Sequence, residues 1–178
     1  MILLGSVVNG GAVVVGGLVG MFVGKLLPER LRTSVMAALS LMTIGIAVPG
    51  LLKSNNALIP IISMVVGTLI GELMDIDSAV NKLGEKLQKR FSGSRVTEGF
   101  VTGSLVFAVG ALAVMGPLES GLQHQHSLLF SKSVIDGVAS IVFASTMGLG
   151  VALSGITVFV VEGSIALLAS VVAPYLGE

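Results

Sequence analysis

The sequence has no cysteine and no tryptophan, and only 1 tyrosine and 2 histidines in 178 residues. The missing thiols exclude thiol chemistry and cysteine metal centres, as well as any disulfide-stapled secreted design. Charge is equally scarce. Charged residues make up 11% of the chain, where a soluble domain carries about 25%. Ten basic and ten acidic side chains leave a formal net charge of zero, so no basic patch invites nucleic acid. Low charge together with 53% hydrophobic residues also excludes a disordered chain. Such a chain cannot cover a water-facing surface, and the solvent its composition suits is lipid.

What is present is long apolar runs. Six of them approach the roughly 20 residues a helix needs to cross the hydrocarbon core. They cover Leu3–Leu27, Leu31–Leu52, Ala57–Met74, Gly99–Leu118, Leu128–Met147 and Val151–Ala173. None shows the period of two that a strand requires. The last two runs meet where glycines cluster, which predicts a turn among Gly148, Gly150, Ser154 and Gly155. The first run has no basic residue before Lys25, so it reads as a retained span and not a cleaved leader. The fold expected is all-α and polytopic, with residues 1–75 and 98–178 as two three-helix units of a single membrane domain.

Residues 76–97 join the units. Ile76, Val80, Leu83, Leu87 and Phe91 recur at helical steps, while Lys82, Lys86, Lys89 and Arg90 take other faces. The pattern predicts an amphipathic helix lying on the cytoplasmic leaflet. With six spans, eight of the ten basic residues fall on one side and two on the other. The positive-inside rule then places both termini outside and the first and third loops in the cytoplasm. The location expected is the bacterial cytoplasmic (inner) membrane.

Small residues recur at helical spacing. Ala12, Gly16, Gly20 and Gly24 line one face of the first span, and the pairs Gly67–Gly71 and Gly99–Gly103 repeat the device. Such faces let helix backbones approach closely in lipid, either within one chain or in a homo-oligomer. A faint internal repeat also exists. Gly5-Ser6-Val7-Val8 matches Gly103-Ser104-Leu105-Val106, and Ser34-Val35 matches Ser133-Val134, at offsets of 98 and 99. An odd number of helices per copy makes this a 3+3 inverted repeat, as in many transporters. Pro49-Gly50 and Gly148 are the expected helix interruptions.

Ionisable groups inside the spans need a reason, because each costs on the order of 2.5–3.5 kcal/mol at a helix centre. Glu72, Glu98 and Glu119 fall near helix ends, where water reaches them. Asp136 lies inside the fifth span with Lys132 one turn before it, within reach of an ion pair. Removing Asp136 is therefore expected to strand Lys132. Glu162 stands mid-span in the sixth with no basic residue on its own helix. It must be protonated, paired across helices or facing water. Asn9 brings an amide into the first span. The candidate path is thus Asn9, Asp136 and Glu162, with Glu72 and Glu98 at its inner mouth. His124 and His126 flank Gln125 in a loop and make no specific metal site. No H-E-x-x-H or G-x-S-x-G motif occurs, so neither an enzyme nor a cofactor is expected.

The stretch from Glu98-Gly99-Phe100 to Ser104-Leu105, then Val109-Gly110-Ala111-Leu112-Ala113, then Lys132-Ser133 with Asp136-Gly137, resembles the bacterial multi-pass proteins of the domain of unknown function 554 family. Val8-Asn9, Pro28-Glu29-Arg30-Leu31 and Gly71-Glu72-Leu73 fit the same pattern. The resemblance spans nearly the whole chain and implies a membrane transport protein, with no substrate attached. It also implies that relatives continue with hydrophobic sequence beyond the position of Glu178. The function expected is a transporter or channel for a small solute or ion. The alternative is a membrane scaffold whose small-residue faces are oligomer contacts.

Overall fold

A computed structural model describes residues 1–52, 58–73 and 95–176. These form seven α-helices and no strand. They are α1 (Leu4–Val23), α2 (Glu29–Leu52), α3 (Leu58–Leu73), α4 (Arg95–Ala108), α5 (Ala111–Gln123), α6 (Ser127–Met147) and α7 (Leu149–Leu176), with one short 3-10 turn at Gly24–Leu26. Four of them, α1, α2, α6 and α7, are long and apolar enough to cross a membrane. The pair α4–α5, bent by 58°, makes a fifth as one broken span. Helix α3 has 16 residues, short of the usual spanning length. The amphipathic helix expected over residues 76–97 falls on residues outside those described, up to the start of α4 at Arg95.

Two glycines set the bends. Gly110 separates α4 from α5 with φ 155°, and Gly148 separates α6 from α7 with φ 72°. A side chain rarely tolerates either conformation. At Gly148 the backbone N–H donates to the Ala144 carbonyl at 2.9 Å, closing α6. The turn expected after the fifth run is therefore at Gly148. The interruption expected at Pro49-Gly50 is not found, since α2 continues past Pro49 to Leu52. The broken helix is the fourth run, read from sequence as continuous from Gly99 to Leu118.

Helix α1 lies between α6 and α7, using two glycine faces. On one, a Cβ at Gly16 would collide with the Gly137 carbonyl and the Ser140 hydroxyl, and one at Gly24 would lie 2.7 Å from the Ser145 carbonyl oxygen. Gly20 meets the Ile141 carbonyl in the same way. On the other, a Cβ at Gly10 would lie 2.8 Å from the Gly155 carbonyl oxygen, and one at Gly17 2.6 Å from the Ala152 Cα. Helix α4 packs on α7 through Gly99 and Gly103, which face Val151 and Ser154, with Met147 at the end of α6 also against Gly99. Close backbone approach replaces the hydrophobic drive that lipid cannot supply. Gly67 and Gly71 take no part in these contacts, because among the described residues nothing lies within 4 Å of a Cβ at either.

The apolar centre is Val13, Phe107, Ala108, Ala139, Ala144, Val151 and Val158. Phe107 meets Phe143 edge to face, with ring centroids 6.0 Å apart. Helix α2 touches this bundle chiefly along α6. Leu41, Met42 and Ile44 on α2, and Ile61, Ile62, Met64 and Leu69 on α3, are exposed, as residues facing hydrocarbon would be.

Candidate functional site

Lys132 and Asp136 are one turn apart on α6, and their side chains form an ion pair. The periodicity of the helix alone brings them together. Three further elements converge on the pair. Glu162 of α7 places Oε1 3.4 Å from the Lys132 ammonium. Asn9 of α1 donates through Nδ2 to Asp136 Oδ2 at 3.1 Å and to Glu162 Oε1 at 2.8 Å. Lys132 Nζ also donates to the backbone carbonyl of Phe107 at 2.7 Å. That carbonyl lies in the last turn of α4, where the helix stops before it can supply a partner. The Lys132 ammonium thus donates two hydrogen bonds, to Asp136 and to the Phe107 carbonyl, and meets Glu162 as an ion pair.

The cluster is sealed. Asn9 and Glu162 are 0% exposed, Lys132 5% and Asp136 7%. One ammonium faces two carboxylates, so the four side chains carry a formal charge of −1 when both acids are ionised. Two oxygens of the cluster, Asn9 Oδ1 and Glu162 Oε2, have no hydrogen-bond partner, and neither has Ser6 Oγ, one turn before Asn9 on α1. Beside the cluster a cavity of about 280 Å³ opens between α2, the α4–α5 break and α6. Lys132 and Asp136 form part of its wall, with Thr43, Phe107 and Gly110 around them.

Of the residues singled out from sequence, Asn9, Lys132, Asp136 and Glu162 meet. Glu72, at the end of α3, and Glu98, in the first turn of α4, are exposed and bond to no member of the cluster. The expectation that loss of Asp136 strands Lys132 is corrected. Glu162 and the Phe107 carbonyl would remain beside it. Sequence reasoning missed the Phe107 carbonyl, Ser6 and the break itself. Ser6 is three residues before Asn9 and shares its face. Gly110 stands inside an apolar run, where an isolated glycine is tolerated by a helix and so does not by itself announce a break. Elsewhere, Ser120 joins the Ile2 carbonyl at 2.8 Å and His126 Nδ1 at 2.7 Å, tying the N-terminus to the loop before α6. Among the described residues, no three His, Cys, Asp or Glu side chains come together as metal ligands.

Two curated bacterial proteins are similar over almost the whole chain. One is "Uncharacterized membrane protein YdfK" of Bacillus subtilis (strain 168), 29% identical over 173 residues that cover 95% of this chain and 74% of that protein. The other is "Uncharacterized protein YqgA" of Escherichia coli (strain K12), 26% identical over 178 residues, with 96% and 76% covered. No solved structure matches. The family described as "Protein of unknown function (DUF554)" matches residues 4–178. The chain belongs to the DUF554 family.

Proposed function

We propose that this protein moves a small solute or ion across the bacterial cytoplasmic membrane. The observation that carries the reading is the buried cluster of Asn9, Lys132, Asp136 and Glu162, with two carboxylates to one ammonium, beside a broken helix and a cavity. Ionisable groups inside a membrane are expensive, and a charge without a partner is more so. A broken helix exposes backbone groups where a cargo can meet them. In this reading Asp136 connects the cavity to Glu162, and Asn9 holds the two carboxylates in register. Glu98 and Glu72, exposed at the ends of α4 and α3, form the inner mouth. Helix α3 completes six spans, arranged as two three-helix units of opposite orientation. Both termini face outward, following the eight-to-two division of basic residues.

The competing scaffold reading assigns the small-residue faces to oligomer contacts. Gly16, Gly20, Gly24, Gly99 and Gly103 are all used inside the chain. Of the glycine pairs singled out in the sequence, Gly67 and Gly71 meet no described residue and stay open for a second copy.

The test is flux into liposomes reconstituted with the purified protein, across a panel of ions and small solutes. Wild type is expected to carry at least one of them, and Glu162→Gln, which keeps the shape of the side chain, is expected to fold and lose that flux. No flux through wild type removes the transport reading, and equal flux through both forms removes Glu162 from the path.

A further inference from the structure

Ser6 Oγ, Asn9 Oδ1 and Glu162 Oε2 are fully buried and without partners. Buried polar atoms are nearly always satisfied, so three together ask for a common explanation. Two of them come from adjacent turns of α1 and the third from α7, and the Asn9 amide nitrogen donates to Glu162 Oε1 at 2.8 Å. The nitrogen of Asn9 approaches two carboxylate oxygens, which only accept, so the orientation of the amide is fixed and its oxygen points to the other side. Ser6 is one turn before Asn9 on the same face of α1. Helices α1 and α7 run antiparallel here. A Cβ at Gly163 would meet Leu3 at 3.4 Å, and one at Gly10 would meet Phe159 at 2.9 Å. These two contacts bracket Ser6 and Glu162 at the same level.

The donors are a carboxylate, an amide carbonyl and a hydroxyl, all hard oxygens suited to a hard cation and not to a soft metal. The charge of the cluster selects the valence. With both acids ionised, Lys132 offsets one carboxylate and leaves −1 for one monovalent cation to balance, whereas a divalent ion would bury +1. The α1–α7 contact is tight enough for backbone to meet backbone at Gly10 and Gly155, which favours a small ion. We infer that Ser6 Oγ, Asn9 Oδ1 and Glu162 Oε2 form a sodium-binding site. The inference deepens the transport reading by naming its coupling ion, and it rests on that reading for the ion's role but not for its binding.

The experiment is thermal unfolding of the full chain in detergent, followed by circular dichroism because the chain has no tryptophan. NaCl, KCl and choline chloride are compared at constant ionic strength. A ligand bound only by the folded state raises Tm in a saturable way. The expected result is a saturable rise in sodium, a smaller one in potassium and none in choline. Lowering the pH should weaken the sodium response, because the carboxylate must be ionised to hold the ion. Ser6→Ala should weaken apparent sodium affinity by about ten-fold or more, and Glu162→Gln should abolish the response. Equal behaviour in all three salts overturns the site, and this wild-type series decides even if a variant fails to fold. An unchanged sodium midpoint in both variants also overturns it. Stabilisation that follows pH alone gives the three oxygens to a proton and overturns it as well. Liposome flux separates the two ideas. Sodium binding without any flux keeps the site and removes transport, while flux without any sodium-dependent rise in Tm removes the site and keeps transport.

Discussion

Lys132 is the only cation in a sealed cluster with two carboxylates, and replacing it with methionine tests the whole arrangement. The substitution keeps the length of the side chain and removes the ammonium. Two buried carboxylates then face each other without compensation, and the Phe107 carbonyl loses its donor. Breaking a buried pair by removing one partner costs about 3–5 kcal/mol, and orphaning the carbonyl adds about 1–3 kcal/mol. For a chain of this size the expected fall in Tm is on the order of 10–30 °C, measured by circular dichroism in detergent. Uptake of a proton by one acid would bring the loss to the lower end. Glu162→Gln acts in the opposite sense. It leaves Lys132 and Asp136 as a balanced pair, and stability should stay within about 1 kcal/mol of wild type. A triple variant, Lys132→Met with Asp136→Asn and Glu162→Gln, contains no charge and should regain most of what Lys132→Met loses. That non-additivity is the signature of one coupled network. If Lys132→Met melts with wild type while Glu162→Gln collapses, Lys132 is not the compensating charge and the argument fails.

Other expectations concern the scaffold around the cluster. Gly16→Val places a side chain against the Gly137 carbonyl and should unfold or misassemble the protein, whereas Gly67→Ala, in open space, should change Tm by less than about 2 °C. Thermal melts of the pair check this. Gly110→Ala must adopt a positive φ of 155° at the break, which costs roughly 1–3 kcal/mol, and flux should fall even where folded protein is recovered. Single cysteines at Ser94 and Gln123, introduced into the cysteine-free chain, report orientation. An impermeant maleimide added to intact cells should label Gln123→Cys and spare Ser94→Cys, and equal labelling would contradict the six-span topology.

Local signals in the sequence carried far. Runs of apolar residues placed the helices, because in lipid each must satisfy its own backbone and so shows its full length. Lys132 and Asp136 were legible because a helix turn fixes their meeting. Glycine spacing on α1 marked a contact face, but Gly10 and Gly17 on its opposite side only gained meaning once α7 lay against them. The partners of Asn9 were illegible for the same reason. They are 127 and 153 residues away, and no local periodicity encodes which of several apolar helices will be the neighbour. The break at Gly110 was hidden by composition. A single glycine in a hydrophobic run is ordinary in a membrane helix, and only the Phe107 carbonyl, freed at the break to accept from Lys132, gives the interruption its purpose.

The order in which the charges leave the ribosome matters for how such a cluster enters a membrane at all. Asn9 comes first, and it must wait while 127 residues are made before Asp136 appears and 153 before Glu162. At bacterial or slower synthesis rates that delay is about 6–30 s. A neutral amide is the least costly member to leave unpaired in lipid over that interval. Lys132 and Asp136 then arrive on one helix, already able to neutralise each other during insertion. Glu162 comes last, into a bundle where Asn9 and Lys132 are waiting to receive it. The distribution of polar groups among α1, α6 and α7 thus works as an assembly schedule, in which no helix has to present an unescorted charge to lipid before its partners exist.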